Sequence, residues 1–127
     1  MHELSVCQAL LDEVTAIARR HAAMAVTDIH VGIGPLSGVE AALMRDAFPI
    51  AAAGTMADGA ALYLRETAVR VKCTECGVES AARANRLVCG ACGTWRTTLS
   101  GGDELLLERV GMQTDTGRAI SGETAYV

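Results

Sequence analysis

Cys73-Thr74-Glu75-Cys76-Gly77, with twelve residues separating Cys76 from the start of Cys89-Gly90-Ala91-Cys92-Gly93, is the stretch that decides how this chain folds. Two CxxC hooks, each followed by glycine, can place four thiolates tetrahedrally around one zinc ion. Glycine after each hook lets the backbone turn tightly beneath the metal. The loop between the hooks has few apolar residues, so metal binding has to supply much of its folding energy. Four sulfur ligands close the coordination sphere and leave no position for a catalytic water. The expected role of Cys73, Cys76, Cys89 and Cys92 is therefore structural zinc binding.

The charge distribution marks the same stretch as a separate module. The 127 residues carry a net charge of −4, yet residues 70–100 hold Arg70, Lys72, Arg83, Arg86 and Arg96 against only Glu75 and Glu79. A basic insert in an otherwise acidic chain argues for its own surface and its own contacts.

Working outward, extended segments flank the hooks. Gly59 to Val71 reads as one extended stretch, with Leu62 and Leu64 on one face, that runs directly into Cys73. Asp103 to Val110 reads as another strand, and Val26 to Ile33 alternates apolar and polar residues as a half-buried strand does. His30, on its polar side, reads as a surface histidine. Two helices complete the pattern. Residues 4–22 carry Leu4, Cys7, Leu11, Val14 and Ala18 at helical spacing, with Leu10 and Ile17 widening the stripe. Cys7 lies on that stripe without a cysteine partner at metal spacing and reads as a buried thiol. Ser37-Gly38-Val39-Glu40 fits a capping box for a second helix, which Pro49 is expected to end or kink. The polar residues from Gln113 onward show no periodicity.

The expected fold class is α+β: two helices packed on a small three-stranded sheet, with a zinc ribbon inserted before the last strand. The expected organisation is a helix-and-sheet domain of residues 1–69 and 101–111, a ribbon of residues 70–100 and a flexible tail of residues 112–127. Half the residues are hydrophobic but only four are aromatic (Phe48, Tyr63, Trp95 and Tyr126), so the core must be aliphatic. No apolar run reaches the roughly 18 residues of a membrane span, and the N-terminus lacks a secretory pattern, so a cytoplasmic location is expected. Five cysteines in that setting argue for metal or free thiols over disulfides.

The chain start carries a second metal signal. Met1-His2-Glu3 puts an imidazole beside the Met1 amine and the amide nitrogens of residues 2 and 3. Such a nitrogen-rich, potentially square-planar set suits Ni(II) or Cu(II) better than calcium or magnesium. Glu3 either adds an oxygen or serves the first helical turn, where negative charge is favoured. Glu40 has two compatible readings, as helix cap and as a ligand brought to the chain start by the fold. Amine and imidazole must shed protons before binding, so nickel affinity is expected to fall steeply below about pH 6.5.

These features resemble the HypA/HybF family of hydrogenase nickel-incorporation proteins. Four segments carry the resemblance: the opening Met1-His2-Glu3-Leu4-Ser5-Val6-Cys7-Gln8, Gly34-Pro35-Leu36-Ser37-Gly38-Val39-Glu40, the paired CxxCG hooks, and Gly102-Asp103-Glu104-Leu105. The resemblance covers about residues 1–111. Two features depart from the family pattern: Pro49 within the second helix and the extension after Gly111. The resemblance implies a metallochaperone and not an enzyme. Ni(II) would be its transient cargo, held by Met1, His2, Glu3 and Glu40, and Zn(II) its structural ion on the four cysteines. The implied partners are a hydrogenase maturation GTPase and the large subunit of [NiFe]-hydrogenase, with urease maturation factors in some organisms.

Two other classes fit the sequence less well. A zinc-ribbon nucleic-acid binder draws on the basic insert and on Trp95, which could stack on a base, but the acidic chain as a whole argues against it. The same basic ribbon could instead dock an acidic protein surface. A zinc hydrolase would need an open coordination position, and no HExxH or similar pattern is present.

Overall fold

The computed structural model describes residues 2–115, 119–121 and 125–126. Helix α1 (His2–Arg20) buries Cys7, Leu10, Leu11, Val14, Ile17 and Ala18, the stripe set by its sequence spacing. Each large aliphatic side chain fully removed from water there contributes about 1.5–3 kcal/mol. Strand β1 (Ala23–Ile33) follows, and helix α2 (Ala41–Ala52) packs beside α1 through Met44, Phe48 and Ala52. Strand β2 (Ala61–Glu66) then lies parallel to β1, with Ile29 opposite Leu62 and Val31 opposite Leu64. A parallel pair needs a crossover, and α2 lies in the connection that makes it.

The chain then leaves this sheet. Strands β3 (Val69–Cys73), β4 (Glu79–Ala82) and β5 (Thr97–Gly101) form a separate three-stranded sheet in the order β4-β3-β5. Strand β6 (Leu105–Thr114) returns to the first sheet and pairs antiparallel with β1. The core lies between the helices and this larger sheet, around Leu10, Ile17, Ile29, Met44, Leu107 and Met112. The architecture is the α+β arrangement expected, with two helices on a sheet in which β1 lies between β2 at the edge and β6. Among the described residues no helix is long and apolar enough to cross a membrane.

Four local readings need revision. The stretch Gly59–Val71 is not one strand. It breaks at Thr67-Ala68, so β2 stays in the larger sheet and β3 enters the ribbon. The turn carries neither glycine nor proline; the Thr67 amide donates to the Ile33 carbonyl at 2.9 Å and its hydroxyl to Glu104 at 3.1 Å. The capping box does not form. Helix α2 starts after Glu40, whose side chain makes no cap, and Ser37 Oγ accepts the Val39 amide at 3.2 Å.

Pro49 lies inside α2, which continues to Ala52. Its missing N–H costs only the bond to Arg45, on the exposed side, while Phe48 and Ala52 stay anchored in the core. Beyond Gly111, β6 continues to Thr114. Strands β7 (Ala119–Ser121) and β8 (Ala125–Tyr126) pair with it, a continuation that the aperiodic sequence did not suggest.

Candidate metal centres

The two hooks adopt the same local geometry. In the first, the amides of Glu75 and Cys76 donate to Cys73 Sγ at 3.3 and 3.2 Å. In the second, the amides of Ala91 and Cys92 donate to Cys89 Sγ, each at 3.4 Å. Gly77 and Gly93 then close each hook at φ values of 76° and 75°, returning their amides to the carbonyls of Cys73 and Cys89. That left-handed conformation favours glycine and explains why one follows each hook.

Strand β3 delivers Cys73, and the Thr74 hydroxyl donates to the Arg96 carbonyl at 2.7 Å, tying the first hook to the segment after the second. The four sulfurs lie within 4.8 Å of one another, with Cys73–Cys92 at 3.7 Å and Cys76–Cys89 at 3.6 Å. Sulfurs about 2.3 Å from a central zinc stand about 3.8 Å apart in a tetrahedron, so the donor set fits the ion. The amides also favour the thiolate that a metal requires. The Cys92 amide, then that of Ala91, draws Cys89 down to about 6, and the amides at Cys76 and Glu75 lower Cys73. Cys76 and Cys92 are raised, Cys92 to about 12, with the neighbouring sulfurs among the causes, so in the absence of a metal Cys89 and Cys73 carry the thiolate character. Cys7 is the contrast: burial and then the charge of Glu3 push its thiol up, and its sulfur faces the Met44 carbonyl.

The chain start is built differently. Met1 lies outside the described residues. His2 opens α1 and is exposed. Glu3 turns toward α2, where its Oε2 meets the Glu40 amide at 3.5 Å. The fold therefore brings the backbone at Glu40 to the first turn of α1, while its side chain lies exposed. Glu3 and His2 line different hollows. Glu3 borders a groove of ≈ 360 Å³ with Leu4, Leu43, Asp46, Ala47 and Ile50. His2 borders one of ≈ 270 Å³ with Val6, Ala9, Ser37, Val39, Asp103 and Leu105. Asp103 is the residue that sequence reasoning passed over. The sequence places it at the start of a strand and within the Gly102–Leu105 motif, and its place in the His2 hollow is purely tertiary.

The loop carrying Asp103 is fixed by the junction between the two sheets. The Gly34 amide donates to the Glu104 carbonyl at 2.8 Å and the Leu36 amide to the Gly102 carbonyl at 2.7 Å. The Glu104 carboxylate accepts the Gly102 amide at 2.7 Å as well as the Thr67 hydroxyl. A methyl group on Gly34 would stand 2.2 Å from the Gly102 oxygen. Two of the sequence motifs, Gly34–Glu40 and Gly102–Leu105, are thus two sides of one contact.

Comparison with known proteins agrees with this arrangement. The family described as hydrogenase/urease nickel incorporation, metallochaperone, hypA matches residues 1–112. The chain belongs to the HypA family. It is 43% identical over 110 residues to the hydrogenase maturation factor HypA of Nitrosospira multiformis, covering 87% of this chain and 96% of that one. It is 36% identical over 115 residues to the HypA of Aquifex aeolicus, covering 91% and 100%. The solution structure of the Ni metallochaperone HypA from Helicobacter pylori shares the fold, with a TM-score of 0.70 at 23% identity, covering 89% of this chain and 98% of that one. The family is one of nickel metallochaperones, and in this chain four cysteines are grouped so that they could hold a metal ion.

Proposed function

We propose that this chain binds Ni(II) at its start and delivers it to [NiFe]-hydrogenase during maturation, and to urease where an organism has that enzyme. The ligands are the Met1 amine, the His2 imidazole and adjacent amides, with Glu3 and Glu40 in support. Residues 1–69 and 101–111 form the nickel-handling domain. Residues 70–100 form a ribbon in which Cys73, Cys76, Cys89 and Cys92 hold a structural zinc, and residues 112–114 continue β6 within the nickel-handling domain, with β7 and β8 paired to it. Zinc, when bound, supplies folding energy to the ribbon. The receiving partners are a maturation GTPase and the hydrogenase large subunit.

One observation carries the nickel reading: His2 is exposed at the first turn of α1, while Glu3 beside it contacts the backbone at Glu40. An exposed site on a helix start can exchange ligands with a docking partner, which a carrier must do. Affinity alone cannot choose nickel over copper, so selection rests on geometry, metal supply and docking.

The test is a nickel titration of untagged protein beside His2→Ala and a form with residues added before Met1. Loss of tight binding in both changed proteins, with zinc retained, is the expected result. Equal binding in all three places the nickel elsewhere and removes the reading.

The basic ribbon supports a docking role within the same function. Arg70 and Arg96 are paired with Glu79 and Glu75, whereas Arg83 and Arg86 line an open hollow of ≈ 480 Å³. That surface suits an acidic protein partner.

A further inference from the structure

The hollow beside His2 contains one acidic residue that the nickel site has not yet used. His2, Val6 and Ala9 line it from one face of α1, Ser37 and Val39 from the loop before α2, and Asp103 and Leu105 from the start of β6. Among these lining residues Asp103 alone carries a carboxylate, and it is exposed. Of the acids nearby, Glu40 is exposed and borders neither this hollow nor the one at Glu3. Glu104 is held by the Gly102 amide and the Thr67 hydroxyl, and Glu3 borders a different hollow with its Oε2 near the Glu40 amide. No hydrogen bond or ion pair engages the Asp103 side chain among the described residues. Its backbone is nonetheless fixed. The Leu36 amide binds the Gly102 carbonyl, and Gly34 packs so closely that a Cβ there would reach the Asp103 nitrogen at 2.8 Å. An unpartnered carboxylate on a pinned loop, sharing a hollow with an exposed imidazole, is arranged to meet a cation.

We propose that Asp103 supplies an oxygen, directly or through one water, to the nickel ion held at Met1 and His2. This rests on the chain-start reading above and assigns that site a further ligand. The chemistry is complementary. Amine, imidazole and amide nitrogens favour a planar set around Ni(II). A carboxylate from a separate segment adds a donor outside that set and offsets part of the ion's charge. It also makes the site depend on the loop leaving the ribbon, so the ion is held between α1 and the strap that carries β5 into β6.

The experiment is nickel calorimetry and nickel absorption spectroscopy on the zinc-loaded full chain, with wild type beside Asp103→Asn, Asp103→Glu and His2→Ala. Asp103→Asn is expected to weaken nickel binding about 10–100-fold, the range for loss of a group that tunes a metal site. It should also change the nickel ligand-field bands, leaving zinc content and thermal midpoint unmoved. Asp103→Glu, which keeps the carboxylate, should recover part of the affinity. If Asp103→Asn matches wild type in affinity and spectrum while His2→Ala abolishes binding, the Asp103 assignment fails and the chain-start site survives. If Asp103→Glu is as weak as Asp103→Asn, the loss comes from the loop's fold and the assignment also fails. If His2→Ala binds as wild type does, the site itself fails and takes Asp103 with it.

Discussion

The cysteine cluster and the chain start differ in how their groups are supplied. The cluster takes its four sulfurs from two short hooks, each held by the same amide-to-sulfur bonds and closed by glycine at positive φ. Its geometry is local, its four sulfurs are grouped closely enough to share one ion, and backbone amides donate to Cys73 and Cys89. The chain start assembles exposed groups from segments far apart in sequence: the first turn of α1, the loop before α2 and, by our inference, the loop before β6. A closed, locally determined site retains its ion. An open site built from several segments can be altered by moving any one of them. That difference suits a protein that keeps one metal and passes on another.

The largest expected effect strikes the closed side. Cys76→Ser should cost the ribbon its zinc and with it most of that module's folding free energy, since structural zinc contributes on the order of 10–16 kcal/mol in isolated zinc-finger peptides. Hydrogen exchange should show protection lost across β3, β4 and β5 while α1, β1 and β6 keep theirs. If α1 loses protection together with the ribbon, the two regions are one cooperative unit and the contrast breaks.

Next comes the junction that joins the regions. Gly34→Ala places a methyl group against the Gly102 carbonyl. Overpacking against backbone costs about 1–3 kcal/mol, read as a lower urea midpoint with zinc still bound. A neutral result would mean the ribbon strap shifts freely, and Asp103 would then lack the fixed position argued for it.

These two effects also mark what the sequence could disclose. The hooks were legible because ligand spacing and trailing glycines are local facts, and α1 because its apolar stripe repeats every three to four residues. The break at Thr67-Ala68 was hidden, because the turn is set by bonds to Ile33 and Glu104 and not by turn residues. The capping box misled because Ser37 bonds only two residues ahead and the helix begins one residue after the motif's glutamate. Pro49 is a residue expected to end or kink a helix, yet α2 runs on to Ala52, because the core contacts of Phe48 and Ala52 outweigh one hydrogen bond lost on an exposed face. The approach of Asp103 to the His2 hollow depends on tertiary packing that no local pattern carries.

A pH titration should separate the regions further. Glu104 titrates below the usual carboxylate range, chiefly because the Gly102 amide donates to it, and Glu108 does so chiefly because of Arg65. A carboxylate with a depressed folded-state value contributes stability that is present above its unfolded value, about 4.3 for glutamate. That contribution is lost as pH falls through the folded-state value. The contributions of these two carboxylates should therefore fade only below about pH 4, whereas nickel should leave at higher pH, where its nitrogen ligands take up protons. Glu104→Gln should flatten the acid limb of the stability curve without moving the pH of nickel release. Both shifting together would tie the junction directly to the nickel ligands.

The smallest expected effect is the most discriminating test of separateness. Arg83 and Arg86 line a ribbon hollow with Ala81, Ala82, Val88 and Gly90, none of which borders the hollows at His2 or Glu3. Neutralising both, as Arg83→Gln with Arg86→Gln, should change stability by less than about 0.5 kcal/mol, as surface substitutions away from special features do. Nickel affinity should not move, because exposed charges more than about 8 Å apart are largely screened at physiological salt. Binding to an acidic partner protein should weaken and lose much of its dependence on salt. If nickel affinity changed at physiological salt, screening would have failed to insulate the sites, and the ribbon would be acting on the nickel ion through its field. If partner binding kept its salt dependence, the basic surplus of residues 70–100 would have to act elsewhere on the ribbon.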